Sequence, residues 1–261
     1  MTTHIIPELP TVEALRETFL PVLFTDPDAI SRYGESVVSP NAGDRYSSLI
    51  EKSAVSSLAR CIVEIKDALT EADPRRIAKK PSWFSRFAGT HVEKVVRYQN
   101  ARSNVKQLVE AGKAVAVHVK ELLAALQELS DQYEAETARL QVYLNAGRLI
   151  LNEIPESGPA DALSVMTDNP RERFKRKLAN LATLLASHEM SIMHMRIVRA
   201  NAIDMLDRFN EAACILVPVW GEHTLSLLTA KYMKPEMIAQ ATQAHKALMT
   251  SLNNSIEGIE K

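Results

Sequence analysis

The run His188-Glu189-Met190-Ser191-Ile192-Met193-His194-Met195 gathers two imidazoles and three thioethers, a ligand set that suits a soft ion such as Cu(I). His188 and His194 stand six apart, however, and so fall on roughly opposite faces of a helix. Met193 and Met195 read first as fillers of irregular core space, and no metal or other cofactor is expected. Thiol chemistry has two candidates, Cys61 and Cys214. A reactive thiol needs an exposed, electropositive site. Cys61 lies between Arg60 and Ile62 on an otherwise apolar helix, and Cys214 within Ala212-Ala213-Cys214-Ile215-Leu216, so both are expected as small buried residues.

Two further groups suit binding rather than catalysis. Arg196, Arg199 and Asn201 offer donors to an oxyanion, for which guanidinium forks are fitted. Arginines on a coiled coil are more often solvated or paired with glutamates such as Glu110, Glu121 or Glu128. The second group is a basic, aromatic connector over residues 75–87, with Arg76, Lys79, Lys80 and Arg86 beside Trp83, Phe84 and Phe87. No acid stands between Asp73 and Glu93. Such a segment suits anionic lipid, where each basic residue is worth about 1 kcal/mol. The favoured alternative is an internal staple, with Trp83 and Phe87 on the helical core and the lysines in solvent. Catalytic signatures are missing: no phosphate-binding loop, no nucleophile elbow and no zinc-protease helix occurs, and no catalytic residue is assigned.

The elements that must carry these groups are long helices. Tyr98, Ala101, Val105, Leu108, Gly112, Val115, Val119, Leu122, Leu126, Leu129, Tyr133, Glu136, Leu140, Tyr143, Gly147, Ile150 and Ile154 alternate steps of three and four. That period keeps one stripe against a partner helix. Only Glu136 and the two glycines break its apolar character. After Pro155-Glu156-Ser157-Gly158-Pro159 and a connection to Asp168-Asn169-Pro170, the pattern returns: Phe174, Leu178, Leu181, Leu185, His188, Ile192, Met195, Arg199, Ala202, Leu206, Phe209, Ala213 and Leu216. Pro170 sits where a helix starts, and Pro218 must kink or end it.

Two stripes flanking a Pro/Gly loop predict an antiparallel helical hairpin. Folding back near residue 162 sets Glu136 opposite His188, the acidic seam residue of one arm against the histidine of the other. The pair is expected to hydrogen-bond and fix the register, unless both side chains lean outward into water. Before the hairpin, Thr11 caps a short helix and a second runs near Ala29–Val38. Asp44 caps a stronger one with the stripe Leu49, Ala54, Leu58, Ile62, Ile65 and Leu69, ending at Asp73-Pro74. A last helix follows Lys234-Pro235.

Composition bounds the rest. A net charge of -1 with 24% charged residues gives no basic excess of the kind that marks a nucleic-acid binder. The longest apolar stretch, Ala212 to Trp220, is far short of the ~20 residues that span a bilayer. No signal peptide is visible, and the two distant cysteines suit a reduced cytoplasmic setting.

Several ordered stretches are similar to the TelA-type toxic-anion (tellurite) resistance family. Trp83-Phe84-Ser85-Arg86-Phe87 with Arg97-Tyr98-Gln99 resembles its tryptophan–phenylalanine segment and the arginine–tyrosine–glutamine that follows. Leu140, Tyr143, Ala146 and Gly147 resemble its leucine–tyrosine–alanine–glycine stretch. Met195-Arg196, Asn201 and Pro218-Val219-Trp220 resemble its C-terminal pattern, and Tyr33-Gly34 an early aromatic–glycine pair. The chain departs from that pattern over Ser130 to Arg139. The resemblance implies a role in resistance to toxic oxyanions but no established reaction.

Together these readings predict an all-α protein, a long antiparallel hairpin with N- and C-terminal helices packed on its open end. The expected segments are 1–74, the connector 75–90, and 91–261, folding as one cooperative domain. The expected role is that of a non-enzymatic scaffold acting through protein partners, including a homodimer. The alternatives are a peripheral protein touching the inner face of the membrane through residues 75–87, and a thiol-dependent protein that reduces or sequesters the anion.

Overall fold

A computed structural model describes residues 9–71 apart from Phe24, Pro27, Val38 and Pro40, and then 90–153, 169–229 and 235–256. Every regular element among the described residues is helical, as the periodicity predicts. The chain forms two compact units: residues 1–50 with 125–198, and residues 51–124 with 199–261. Two long helices contribute to both, α5 (Thr90–Glu153) and α6 (Pro170–Glu211).

In the first unit the chain opens with α1 (Val12–Phe19), where Thr11 Oγ1 accepts the Ala14 N–H at 3.1 Å. The short α2 (Ala29–Arg32) ends at Tyr33. Gly34 then takes a φ of +75°, a left-handed conformation that side chains disfavour, and leads into a 3-10 turn at Glu35–Val37. That turn drops Tyr33 into the core. Its ring lies edge-on to Tyr143 and Phe174, at centroid distances of 5.2 and 5.0 Å, and its hydroxyl donates to the Tyr143 carbonyl at 2.6 Å. Leu15, Leu23, Ile30, Leu140, Ile150 and Leu178 close the same cluster.

α3 (Ala42–Glu51) and α4 (Val55–Glu71) correct one expectation. The helix predicted to run from Asp44 to Asp73 breaks at residues 52–54, where Ser53 Oγ accepts the Val55 N–H at 3.4 Å. Asp44 lies in the first turn of α3 and does not cap it. The break falls beside the boundary between the units, so the two halves of the predicted helix belong to different units. Periodicity carries no record of such a division.

In the second unit, α4 buries Leu58, Ile62, Ile65 and Leu69 against Tyr98, Val105 and Val119 of α5 and Ala202, Leu206 and Phe209 of α6. Burial of each large aliphatic side chain is worth about 1.5–3 kcal/mol before entropy is counted. α6 leads into a single π-helical turn at Ala212–Leu216, then α7 (Val217–Thr229). Pro218 therefore perturbs the helix without ending it. A proline ring clashes with the carbonyl one turn back and lacks an N–H, and the wider turn, closed by Val217 N–H to Ala212 O, accommodates it. α8 (Pro235–Ile256) adds Leu248 and Met249 to the cluster.

The hairpin arms run antiparallel within each unit. Asn169 caps α6, its Oδ1 accepting the Arg171 and Glu172 N–H groups, with Pro170 in the first position. Arg171 Nη1 donates to the Leu151 carbonyl at 3.1 Å, tying the start of α6 to the end of α5. The seam residues Tyr98 to Ile150 lie inward, and the glycines that interrupt it are points of close approach. A Cβ on Gly147 would meet Leu178 at 2.4 Å, and one on Gly112 would meet Phe209 at 2.3 Å. The flanking helices divide between the units. In the second unit α4 and α8 pack with Tyr98, Val105 and Phe209, whereas α1 and α2, expected beside them, pack in the first unit against Tyr143, Ile150 and Phe174.

Candidate functional site

The buried polar residues of the first unit come first. Glu136 and His188 are 3% and 6% exposed, so both seam positions turn inward together. His188 Nδ1 and Glu136 Oε2 stand 3.7 Å apart, beyond hydrogen-bond reach. The expected hydrogen bond is thus replaced by a looser electrostatic contact. Glu136 Oε1 accepts from Gln132 Nε2 at 3.1 Å, and Tyr133 covers the imidazole at a ring distance of 4.6 Å. Burial holds the His188 pKa below its usual 6.5, against the smaller upward pull of Glu136. The imidazole is therefore neutral near pH 7, which suits a core position and not a cationic site.

The metal constellation does not assemble. His188 and Met195 are buried, while His194 is exposed and hydrogen-bonded to the Tyr46 hydroxyl. Among the described residues no group of three or more His, Cys, Asp or Glu is placed to hold an ion.

Met193 is exposed, against the expectation of core filling. Met190, Met193 and Ile197 are 72%, 64% and 57% exposed on α6, roughly opposite its buried His188, Ile192 and Met195. Steps of three and four again relate them, so α6 carries a second apolar stripe that no described residue covers. The sequence holds that signal as a parallel register two residues off the seam. The stronger heptad masks it.

Charged neighbours flank this helix. Arg196 donates to Glu134 at 3.0 Å, and Arg45 reaches Glu128 and Gln132 at 3.2 and 3.3 Å. Of the oxyanion candidates, Arg196 is thus engaged by a carboxylate, Arg199 is half-buried in the second unit and Asn201 is exposed there. Glu110 and Glu121 pair with Lys113 and His118 on their own helix. The connector residues Arg76, Lys79, Lys80, Trp83, Phe84 and Arg86 lie outside the described residues.

The cysteines divide. Cys61 is half-buried, and burial raises its thiol pKa, followed by Glu64. Cys214 is exposed in the π-helical turn, contrary to the buried position expected of it. Ala212, Ala213 and Leu216 of the same turn are buried, which leaves Cys214 on its outer side.

The remaining motif residues meet in pairs. Tyr33 and Gly34 pack with Tyr143 and Leu181 in the first unit. In the second, Tyr98 donates to the Gly221 carbonyl at 3.0 Å and its ring lies 5.9 Å from Trp220. Aromatic residues far apart in sequence thus fasten the hairpin arms to each other and to α2.

No helix among the described residues is long and apolar enough to cross a membrane. A family model described as "Toxic anion resistance protein (TelA)" matches residues 21–254. Protein KlaA of Escherichia coli is 49% identical over 247 residues, spanning 95% of this chain and 96% of that protein. No solved structure matches the chain.

Proposed function

The chain belongs to the toxic anion resistance protein (TelA) family, and from that premise we propose that it contributes to resistance against tellurite or a related anion as a non-enzymatic scaffold. In this reading the hairpin presents a surface to a protein partner, a second copy of the chain included. The observation that carries it is the uncovered stripe Met190, Met193 and Ile197, with methionines whose flexible side chains adapt to a partner. Arg196, next to Ile197 and paired with Glu134, adds a polar neighbour to that stripe.

The test replaces Met190 and Ile197 together by glutamate. Both are exposed, so thermal unfolding should stay within about 0.5 kcal/mol of the parent. Growth on tellurite should fall to that of cells lacking the protein. Full resistance in the double variant rules the stripe out.

The thiol-dependent reading is supported by the exposure of Cys214 and weakened by the burial-raised pKa of Cys61. A Cys61→Ala/Cys214→Ala chain separates the two. The scaffold retains resistance without thiols, and a reductant or a thiol trap does not.

A further inference from the structure

The second unit holds a cleft of about 410 Å³ between the early part of α5 and α7. That volume lies in the ~300–1,000 Å³ range of small-molecule sites. Val105 and Val109 form one apolar wall, and Leu225, nearly half exposed, borders the other.

The charge of the lining favours a negatively charged ligand. Arg102 and Lys106 stand one helical turn apart on the same face of α5, both exposed, and Lys106 also acts electrostatically on Glu110 one turn further on. Glu222 is the one acid among the described lining residues, which leaves an excess of one positive charge. Trp220 also lines the cleft, 1% exposed.

We propose that this cleft binds an amphiphilic monoanion, a free medium-chain carboxylate. Its hydrocarbon body lies along Val105, Val109 and Leu225, and its carboxylate meets Arg102 and Lys106. Charge complementarity favours the anion over a cation or a neutral alcohol of the same length. The inference goes beyond the partner surface on α6 and stands without it.

Octanoate is the probe. The chain has two tryptophans, Trp83 and Trp220, so a Trp83→Phe variant leaves Trp220 as the reporter, and calorimetry on the unsubstituted chain guards against a folding defect. Octanoate should give a saturable change in Trp220 fluorescence and a saturable heat, both weakened by salt. Binding should weaken about threefold in Arg102→Ala and about tenfold in Arg102→Ala/Lys106→Ala. Octanol or octylammonium binding as well as octanoate overturns the proposal, as does indifference to both substitutions in correctly folded protein. A response to phosphatidylglycerol vesicles without one to octanoate also overturns it, and assigns the cleft to a membrane surface.

Discussion

Glu136 and His188 face each other inside the first unit with Oε2 and Nδ1 3.7 Å apart, and neither of those atoms has a hydrogen-bond partner among the described residues. The register of two arms of the chain thus brings two polar side chains together in an otherwise apolar seam without joining them. Removing one should cost more than removing both. Glu136→Leu leaves a neutral imidazole without its neighbour, at about 1–3 kcal/mol. His188→Leu leaves a buried carboxylate held, among the described residues, by Gln132 and should cost more, about 3–5 kcal/mol. Glu136→Leu/His188→Leu should lie near the parent in urea unfolding. Identical midpoints for the two single variants and the double would remove the pair from the account of register.

Stability should also depend on pH through His188. Its folded pKa is depressed by burial, so the unfolded chain binds the proton more tightly. The contribution is complete above the unfolded value near 6.5 and is lost as pH falls through the interval towards the folded pKa. Unfolding free energy measured from about pH 7 down to pH 5 should therefore decline, and His188→Gln should flatten that slope. A slope unchanged by the substitution assigns the decline to other groups.

The seam glycines give opposite signs from a third. Gly147→Ala and Gly112→Ala each drive a methyl into a large side chain, and overpacking of that kind costs about 1–3 kcal/mol. The helix-propensity gain of about 1 kcal/mol only partly offsets it. Gly43 stands in the first turn of α3, and a methyl added there would meet nothing within 4 Å, so Gly43→Ala should be neutral or stabilising. Thermal unfolding of the three variants side by side checks the contrast.

Two tyrosine hydroxyls fasten separate joints. Tyr33→Phe loses the bond to the Tyr143 carbonyl, and Tyr98→Phe the bond to that of Gly221. Each should destabilise by about 1 kcal/mol. The residues share no partner, so the double variant should show the sum within about 0.5 kcal/mol. A marked departure from additivity in denaturant titrations would reveal coupling between the two clusters.

Much of the architecture is legible in the residues alone. Spacing places Tyr98 through Ile150 inward, and Asn169-Pro170 marks the start of α6 through cap chemistry that operates within one turn. The pairing of Glu136 with His188 follows from matching two stripes about a loop. Other features escape because their causes are not local. Whether Ser53 interrupts one helix or decorates it depends on which unit each half joins. Met193 and Cys214 read as inward because apolar type favours burial on average, although the heptad stripe itself places both off the seam.

Residue patterns within a few turns make the chain helical, set where its long arms begin and choose which stripe of each is buried. Those properties rest on periodicity, capping and proline, which act over a few residues. Packing of distant segments decided that residues 12–37 and 54–69 serve different cores, and that Tyr33 meets Tyr143 while Tyr98 meets Gly221. It also decided that α6 keeps a second apolar face in solvent. Such outcomes depend on which surfaces remain after every helix has packed, a competition among distant segments that no short window of residues records.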